Sequence, residues 1–505
     1  MRRATTFQSG LRAASASNSM TIGIPISLWG FSLIIAACWV VPDDLVVLRT
    51  WLAGLGAITL IWGWIWLSNR GTIPLRSDVL VCLGFTLSQL LPPLYLSFRI
   101  GTGAQIDKHE VADMYPLVAL ATAIGALALL IGYNFRWSKP LDRTLTFNAA
   151  STTETRNRWV FAFILALLLS GTWIARVLTL KKGVYYWIHV DYDFMFSRYY
   201  SVLKTFSGFG LIVVALLWVL DQEDRKWRPL AWLATATEFA WILPSGARLE
   251  IVKVIFLVFL ISWQRRRRLP IIVLVVVAAP LVFMMPTMGI YRYTIGPVTD
   301  TSTINVDASL EAYRLASERV NRESEGSLVG LSDNFLDRLN DGQFLGFLLK
   351  NFRSIYEWEY GRTYFERIPY LFLPYFVYTA RPIMQVPINQ WYSVMAGGSA
   401  PTTFLGEAYI NFGYFGVTFV SLFMGVLLGY YDRLFFAKRG NPIVLAIFLA
   451  NSVVMPYMVT QSLASWMGMM RNALLLLVAA VLFEKLEVKG VTQKQVQPGR
   501  AFKRL

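Results

Sequence analysis

Apolar runs of about 20 residues, the length a helix needs to cross a bilayer, alternate along the chain with short basic stretches. They fall near residues 22–41, 51–68, 79–98, 115–134, 158–177, 203–220, 228–244, 246–264, 269–289, 409–430, 441–459 and 463–483. The pattern predicts an all-α polytopic integral membrane protein with about 12 transmembrane helices. The first run, Ile24–Val41, follows a leader carrying Arg2, Arg3 and Arg12 and reads as an anchor that is kept rather than a cleaved signal.

The stretches between the runs set an orientation. Alternate ones hold Arg70 and Arg76; Arg136, Lys139, Arg143, Arg156 and Arg158; Arg225, Lys226 and Arg228; the run Arg265–Arg268; and Arg433, Lys438 and Arg439. The C-terminal stretch adds Lys485, Lys489, Lys494, Arg500, Lys503 and Arg504. Twelve crossings put all of these on one side, and the positive-inside rule makes that side, with both termini, cytoplasmic. A miscounted span would scramble the alternation.

The expected organisation is a basic cytoplasmic leader (1–21), helices one to nine (22–290), a long external segment (291–408), helices ten to twelve (409–483) and a basic cytoplasmic tail (484–505). A second external loop, 178–202, joins the fifth and sixth helices. Within the long segment, Leu310, Tyr313, Ser317 and Val320 are expected on one face of a charged helix, and Ser332 caps a turn before Phe335 and Leu339. The stretch 368–378 is apolar but too short to span and is broken by Pro374, so it reads as re-entrant or interfacial.

Composition agrees. The chain of 505 residues is 55% hydrophobic and 15% charged, with 18 Trp, too little charge to cover a soluble surface. The net charge of +16 is explained by the basic loops; no groove-reading motif accompanies it, so nucleic acid is not an expected partner. Cys38 and Cys82, both inside apolar runs, offer neither a disulfide framework nor a thiolate metal site, and two histidines exclude a multi-His centre. No cofactor or metal is expected.

Ionisable groups at membrane depth ask for a reason. Arg248, Glu250 and Lys253 open the eighth helix at its outer end, with Glu250 and Lys253 spaced to pair, and Arg471 lies several residues inside the last. Arg176 and Arg292 mark the outer ends of the fifth and ninth. Snorkelling to head groups accounts for any one of them. Several at one depth suit an anionic lipid-linked group, since a guanidinium meets phosphate oxygens in pairs. Base candidates are His189, Asp191 and Asp193 in WIHVDYD, and Glu407 in FLGEAYINFG, where an acid also favours the helix dipole. Asp43 and Asp44 lie in the first external loop.

Three stretches resemble the O-antigen and oligosaccharide repeat-unit polymerases of the Wzy type: Ser245–Arg248 with the apolar span and basic run after it, Tyr360–Pro382, and Ser399–Val417. The layout is similar too, with large external loops after the fifth and ninth spans. The resemblance makes the external side the periplasm of a bacterial inner membrane. It implies a metal-independent transfer of a growing glycan from undecaprenyl pyrophosphate to a hydroxyl of the next lipid-linked unit. Such chemistry needs a base near the acceptor and cations for the departing diphosphate. Glu407, then Asp191, Asp193 or His189, would supply the first; Arg248, Arg292, Arg381 and Arg471 the second. A chain-length regulator protein would be a further partner. The alternatives are a polyprenyl-phosphate-dependent glycosyltransferase acting through Asp43 and Asp44, an O-antigen ligase, and a polysaccharide flippase or transporter.

Overall fold

A computed structural model describes residues 23–69, 76–101, 112–135, 168–178, 206–245, 248–266, 306–323, 339–355, 357–372, 403–437 and 442–478, with a few helical positions between 287 and 336. All regular structure among them is helical. In chain order come α1 (Gly23–Val40), α2 (Val46–Asn69), α3 (Ser77–Arg99), α4 (Tyr115–Tyr133), α5 (Leu168–Leu178), α6 (Phe209–Glu223), α7 (Arg228–Ser245) and α8 (Arg248–Arg266). After these lie α9 (Val306–Glu323), α10 (Gly342–Ile355), the short α11 (Arg362–Phe365) and α12 (Ile368–Phe372), α13 (Phe404–Ala437), α14 (Pro442–Ser452) and α15 (Leu463–Val478). Five of them, α1 to α4 and α13, are long and apolar enough to cross a membrane.

The centre of the bundle is the α4–α13 pair, on which α2, α3 and α10 pack. Its closeness is set by glycine. A Cβ on Gly132 would stand 2.1 Å from the Leu422 carbonyl oxygen, and one on Gly425 would stand 2.0 Å from that of Leu129. Two membrane helices gain little from burying apolar surface against each other instead of lipid, so small residues that let backbones touch supply the contact. At the end carrying Arg76 the pair is tied by polar groups. The buried Asp432 carboxylate accepts the backbone N–H of Ser77 at 2.9 Å and the Tyr133 hydroxyl at 2.7 Å, and Arg76 stacks on the Tyr133 ring while gripping Asp78.

The apolar run at 441–459 is not one continuous helix. α14 stops at Ser452, and the chain passes through a 3-10 turn, Met455–Thr460, before α15 begins. Pro456 has no N–H to continue the helix, while Asn451 and Ser452 turn their side chains back onto the Ile447 and Phe448 carbonyls. α3 fits against the break, with Gly84 directly on the Pro456 carbonyl.

The long segment between α8 and α13 contributes α9 and α10. α9 exists as expected, but its inward face is Ala312, Ala316 and Val320, which join Ile242, Ile251 and Val254 of α7 and α8. Leu310 and Tyr313 point outward, at 64% and 38% exposure, because small alanines allow the closer approach. Ser332 lies outside the described residues. α10 buries Leu345, Leu348 and Phe352 against the main core. Its entry is fixed by α3, where a π turn over Thr86–Leu90 leaves the Ser88 carbonyl to accept the Asp341 N–H at 3.0 Å.

Candidate functional site

Glu407 sits one turn into α13 and is fully buried. The helix starts on Thr403, whose hydroxyl accepts the Gly406 N–H at 3.0 Å and whose carbonyl accepts that of Glu407 at 2.8 Å. It is interrupted after two turns: Phe412 and Gly413 leave helical geometry, Gly413 at φ 61°, ψ −149°. Only glycine adopts that conformation without strain. The break separates a short headpiece, 404–411, from the long shaft packed on α4.

Two other segments close on the headpiece. The stretch before α11 docks through backbone bonds, Glu359 N–H to the Ile410 carbonyl at 3.0 Å and Gly361 N–H to the Asn411 side-chain oxygen at 2.9 Å. Asn411 spends its amide protons on Thr363 Oγ1 and the Glu407 carbonyl, both at 2.7 Å. From the other side α15 presents its first turn, and the Leu463 N–H donates to Glu407 Oε2 at 2.6 Å. A carboxylate at a helix N-terminus is well placed electrostatically. Glu407 Oε1 faces Arg367 Nη1 at 3.9 Å, too far for a hydrogen bond, and accepts none among the described residues.

Close to this carboxylate, sharing Leu463 with it, lies an apolar groove of about 470 Å³ lined also by Tyr364, Ile368, Phe412, Phe415, Phe419 and Phe423. Phe415 and Phe419 stack with ring centres 6.5 Å apart and remain 77% and 65% exposed. The Tyr364 hydroxyl is buried, with the Asn411 side chain as its polar neighbour. Burial, with the Glu407 charge nearby, pushes the Tyr364 phenol up, so it stays a donor.

Of the sequence candidates among the described residues, Glu407 alone stands at this junction. Arg471, on α15, is turned to the Leu371 carbonyl of α12 and to Asn472 Oδ1, 2.9 Å from its Nη2. Arg248 is the first residue of α8, and its side chain lies outside the described set. So do Arg292, Arg381, His189, Asp191 and Asp193. Glu250 and Lys253 pair as their spacing requires, at 2.5 Å, with the Lys253 ammonium 5.9 Å from the Tyr457 ring centre. Asp43 and Asp44 are exposed, and Asp43 pairs with Arg49. Arg176 does not reach for head groups: it is 2% exposed, and its Nη2 donates to both Glu238 oxygens at 2.7 Å between Trp173 and Trp241.

Sequence reasoning missed Arg367, Thr363, Tyr364 and the Leu463 amide, because only the fold joins them to Glu407. It also missed Asn411, although a four-residue spacing from Glu407 on an apolar helix is a readable sign. Among the described residues no group of three His, Cys, Asp or Glu could hold a metal ion.

A helical bundle with several apolar helices of spanning length is the architecture of a multi-pass membrane protein. The chain matches no family model, no curated protein and no solved structure, so its function is argued from its own residues.

Proposed function

We propose that this protein is a polymerase of lipid-linked oligosaccharide repeat units. It would transfer the growing glycan from undecaprenyl pyrophosphate to a hydroxyl of the next lipid-linked unit on the periplasmic face of the inner membrane. The observation that carries the reading is the Glu407 carboxylate, fully buried and facing the Arg367 guanidinium at 3.9 Å, close to an apolar groove that shares Leu463 with it. The reading keeps twelve crossings with both termini in the cytoplasm.

Glu407 Oε1 takes the proton of the acceptor hydroxyl as that oxygen bonds to the anomeric carbon. The bond from that carbon to the diphosphate oxygen breaks, and the electron pair leaves with the lipid diphosphate. Arg367 is the guanidinium facing the base and would stabilise this leaving group, with Arg248, Arg292, Arg381 and Arg471 as the further candidate cations. The phenylalanine groove takes the isoprenoid tail. In the closed arrangement the carboxylate is covered, so the acceptor reaches it when the segment 357–372 lifts from the headpiece. His189, Asp191 and Asp193 are the second choice for the base.

One observation favours a different reading: the Arg176–Glu238 pair buried among apolar helices is the kind of intramembrane charge that transporters use. A deletion strain separates the two. Loss of a polymerase leaves single capped units on the cell surface; loss of a flippase leaves none and traps units inside.

A further inference from the structure

The segment 357–372 lies over Glu407 and is fastened at two places. Near its start the fully buried Asn411 accepts the Gly361 N–H and donates to Thr363 Oγ1, and the Trp358 ring packs on that of Tyr409 with centres 5.6 Å apart. At its far end Leu371 is buried close to Gly468 of α15, and Arg471 of the same helix donates to the Leu371 carbonyl. Between the fastenings the segment is braced within itself, Arg362 pairing with Glu359 at 2.9 Å and with Glu366 at 3.5 Å. Tyr360 and Phe365 stay 71% and 76% exposed, and Tyr360 holds φ at 43°, a left-handed conformation that a residue other than glycine adopts at a cost. A piece braced inside and tied at few points outside opens as one body before the bundle around it does.

The fastening at Arg471 is poorly matched. The guanidinium is partly buried in an apolar run of spanning length, and its partners among the described residues are neutral: the Leu371 carbonyl and Asn472 Oδ1, the latter 2.9 Å from Nη2. A guanidinium bonds an anionic oxygen about twice as strongly as a neutral one, and in pairs. We propose that 357–372 is a lid over Glu407 and that Arg471 is its anion-sensitive latch: a phosphate-bearing anion takes the guanidinium, the Leu371 carbonyl is freed, and the lid rises. The anion binds the lifted state better because only there is the fork free, and that difference in affinity is what shifts the balance. The assignment rests on the polymerase reading in so far as a lipid diphosphate supplies the anion. It makes the arriving head group the signal that uncovers the base, and it keeps water from the carboxylate while no substrate is present.

The test uses the purified full chain in lipid nanodiscs. Labelling of Glu407 by a hydrophobic carbodiimide, which captures carboxyl groups it can reach, is read by mass spectrometry, with the buried Asp432 as reference for an intact bundle. Undecaprenyl diphosphate is expected to raise Glu407 labelling roughly 10-fold, the gain of a charged over a neutral hydrogen bond, and undecaprenol, which lacks the phosphate, to leave it unchanged. Arg471→Gln should label at the raised level without ligand and gain nothing from the diphosphate. A response to inorganic diphosphate alone would support the latch and assign it to a free phosphate anion. Wild-type labelling that no diphosphate changes, or an Arg471→Gln protein that labels and responds as wild type does, overturns the latch. Should Arg471→Gln loosen the whole bundle, seen as a rise at Asp432, the wild-type response decides alone. Labelling reads exposure and not transfer, so the two readings fail separately: a deletion strain with chains of normal length overturns the polymerase and leaves the lid standing.

Discussion

Replacing Glu407 separates a chemical role from a structural one, because glutamine and alanine remove different things. Glutamine keeps an amide oxygen where Oε2 accepts the Leu463 N–H at 2.6 Å, and loses only the charge facing Arg367 at 3.9 Å. Two unit charges at that separation attract by about 4 kcal/mol at an effective dielectric of 20. Most of that is offset by the cost of keeping the ionised carboxylate out of water. The net loss of stability for Glu407→Gln is expected near 1 kcal/mol. Alanine also strands the Leu463 N–H at about 1–3 kcal/mol and opens a cavity, for a total of roughly 3–5 kcal/mol. If Glu407 is the base, both variants lose about 10²- to 10⁴-fold in rate, although only alanine loses much stability. Surface polysaccharide length in cells, read beside thermal unfolding of purified protein, gives the two measurements. A Glu407→Gln strain that makes chains of normal length would refute the role and leave the carboxylate as a pin between α13 and α15.

Arg367→Ala is expected to shorten chains to single units, with a loss of roughly 10²-fold or more in rate, and Arg367→Lys to restore little; normal chains in Arg367→Ala would remove it from the site. Gly132→Ala should destabilise by about 1–3 kcal/mol, since its methyl group would meet the Leu422 carbonyl oxygen at 2.1 Å; an unchanged Tm would mean that α4 and α13 are not in close contact. Asp341, outside the spanning helices, has its carboxyl pushed up to about 7 by burial, against a smaller opposing effect of the Ser88 hydroxyl. Between about pH 4, the unfolded value, and about 7, the folded chain holds a proton that the unfolded chain releases, so stability declines as pH rises through that window. Asp341→Asn should flatten the decline, and an identical pH profile of Tm in both proteins would exclude it.

The helices were legible because apolar runs of spanning length have few other uses, and Ser77 to Arg99 or Tyr115 to Tyr133 could be bounded to within a few residues. The break at Met455–Thr460 was not, since Asn451, Ser452 and Pro456 are the few marks it leaves in a run long enough to span. The inward face of α9 was misjudged for a related reason: Leu310 and Tyr313 outrank alanine in hydrophobicity, yet close packing selected Ala312 and Ala316. Glu407 stood out as an acid opening a helix, whereas its burial and its partners depend on segments brought together from far along the chain. Glu238 was overlooked for the same reason, its mate Arg176 being 62 residues away.

The bond between Glu407 and Leu463 also fixes an order of assembly. α15 caps its first turn through Ser462, which accepts the Ser465 N–H on its hydroxyl and the Trp466 N–H on its carbonyl, but its leading amide finds its acceptor on a side chain 56 residues earlier. During synthesis the acid leaves the ribosome first and must wait, uncompensated by that amide, until the last apolar helix follows. A nascent chain halted between the two would carry an acid near the mouth of the lipid phase without the helix end that accommodates it. Fragments ending there should be recognised by quality-control proteases.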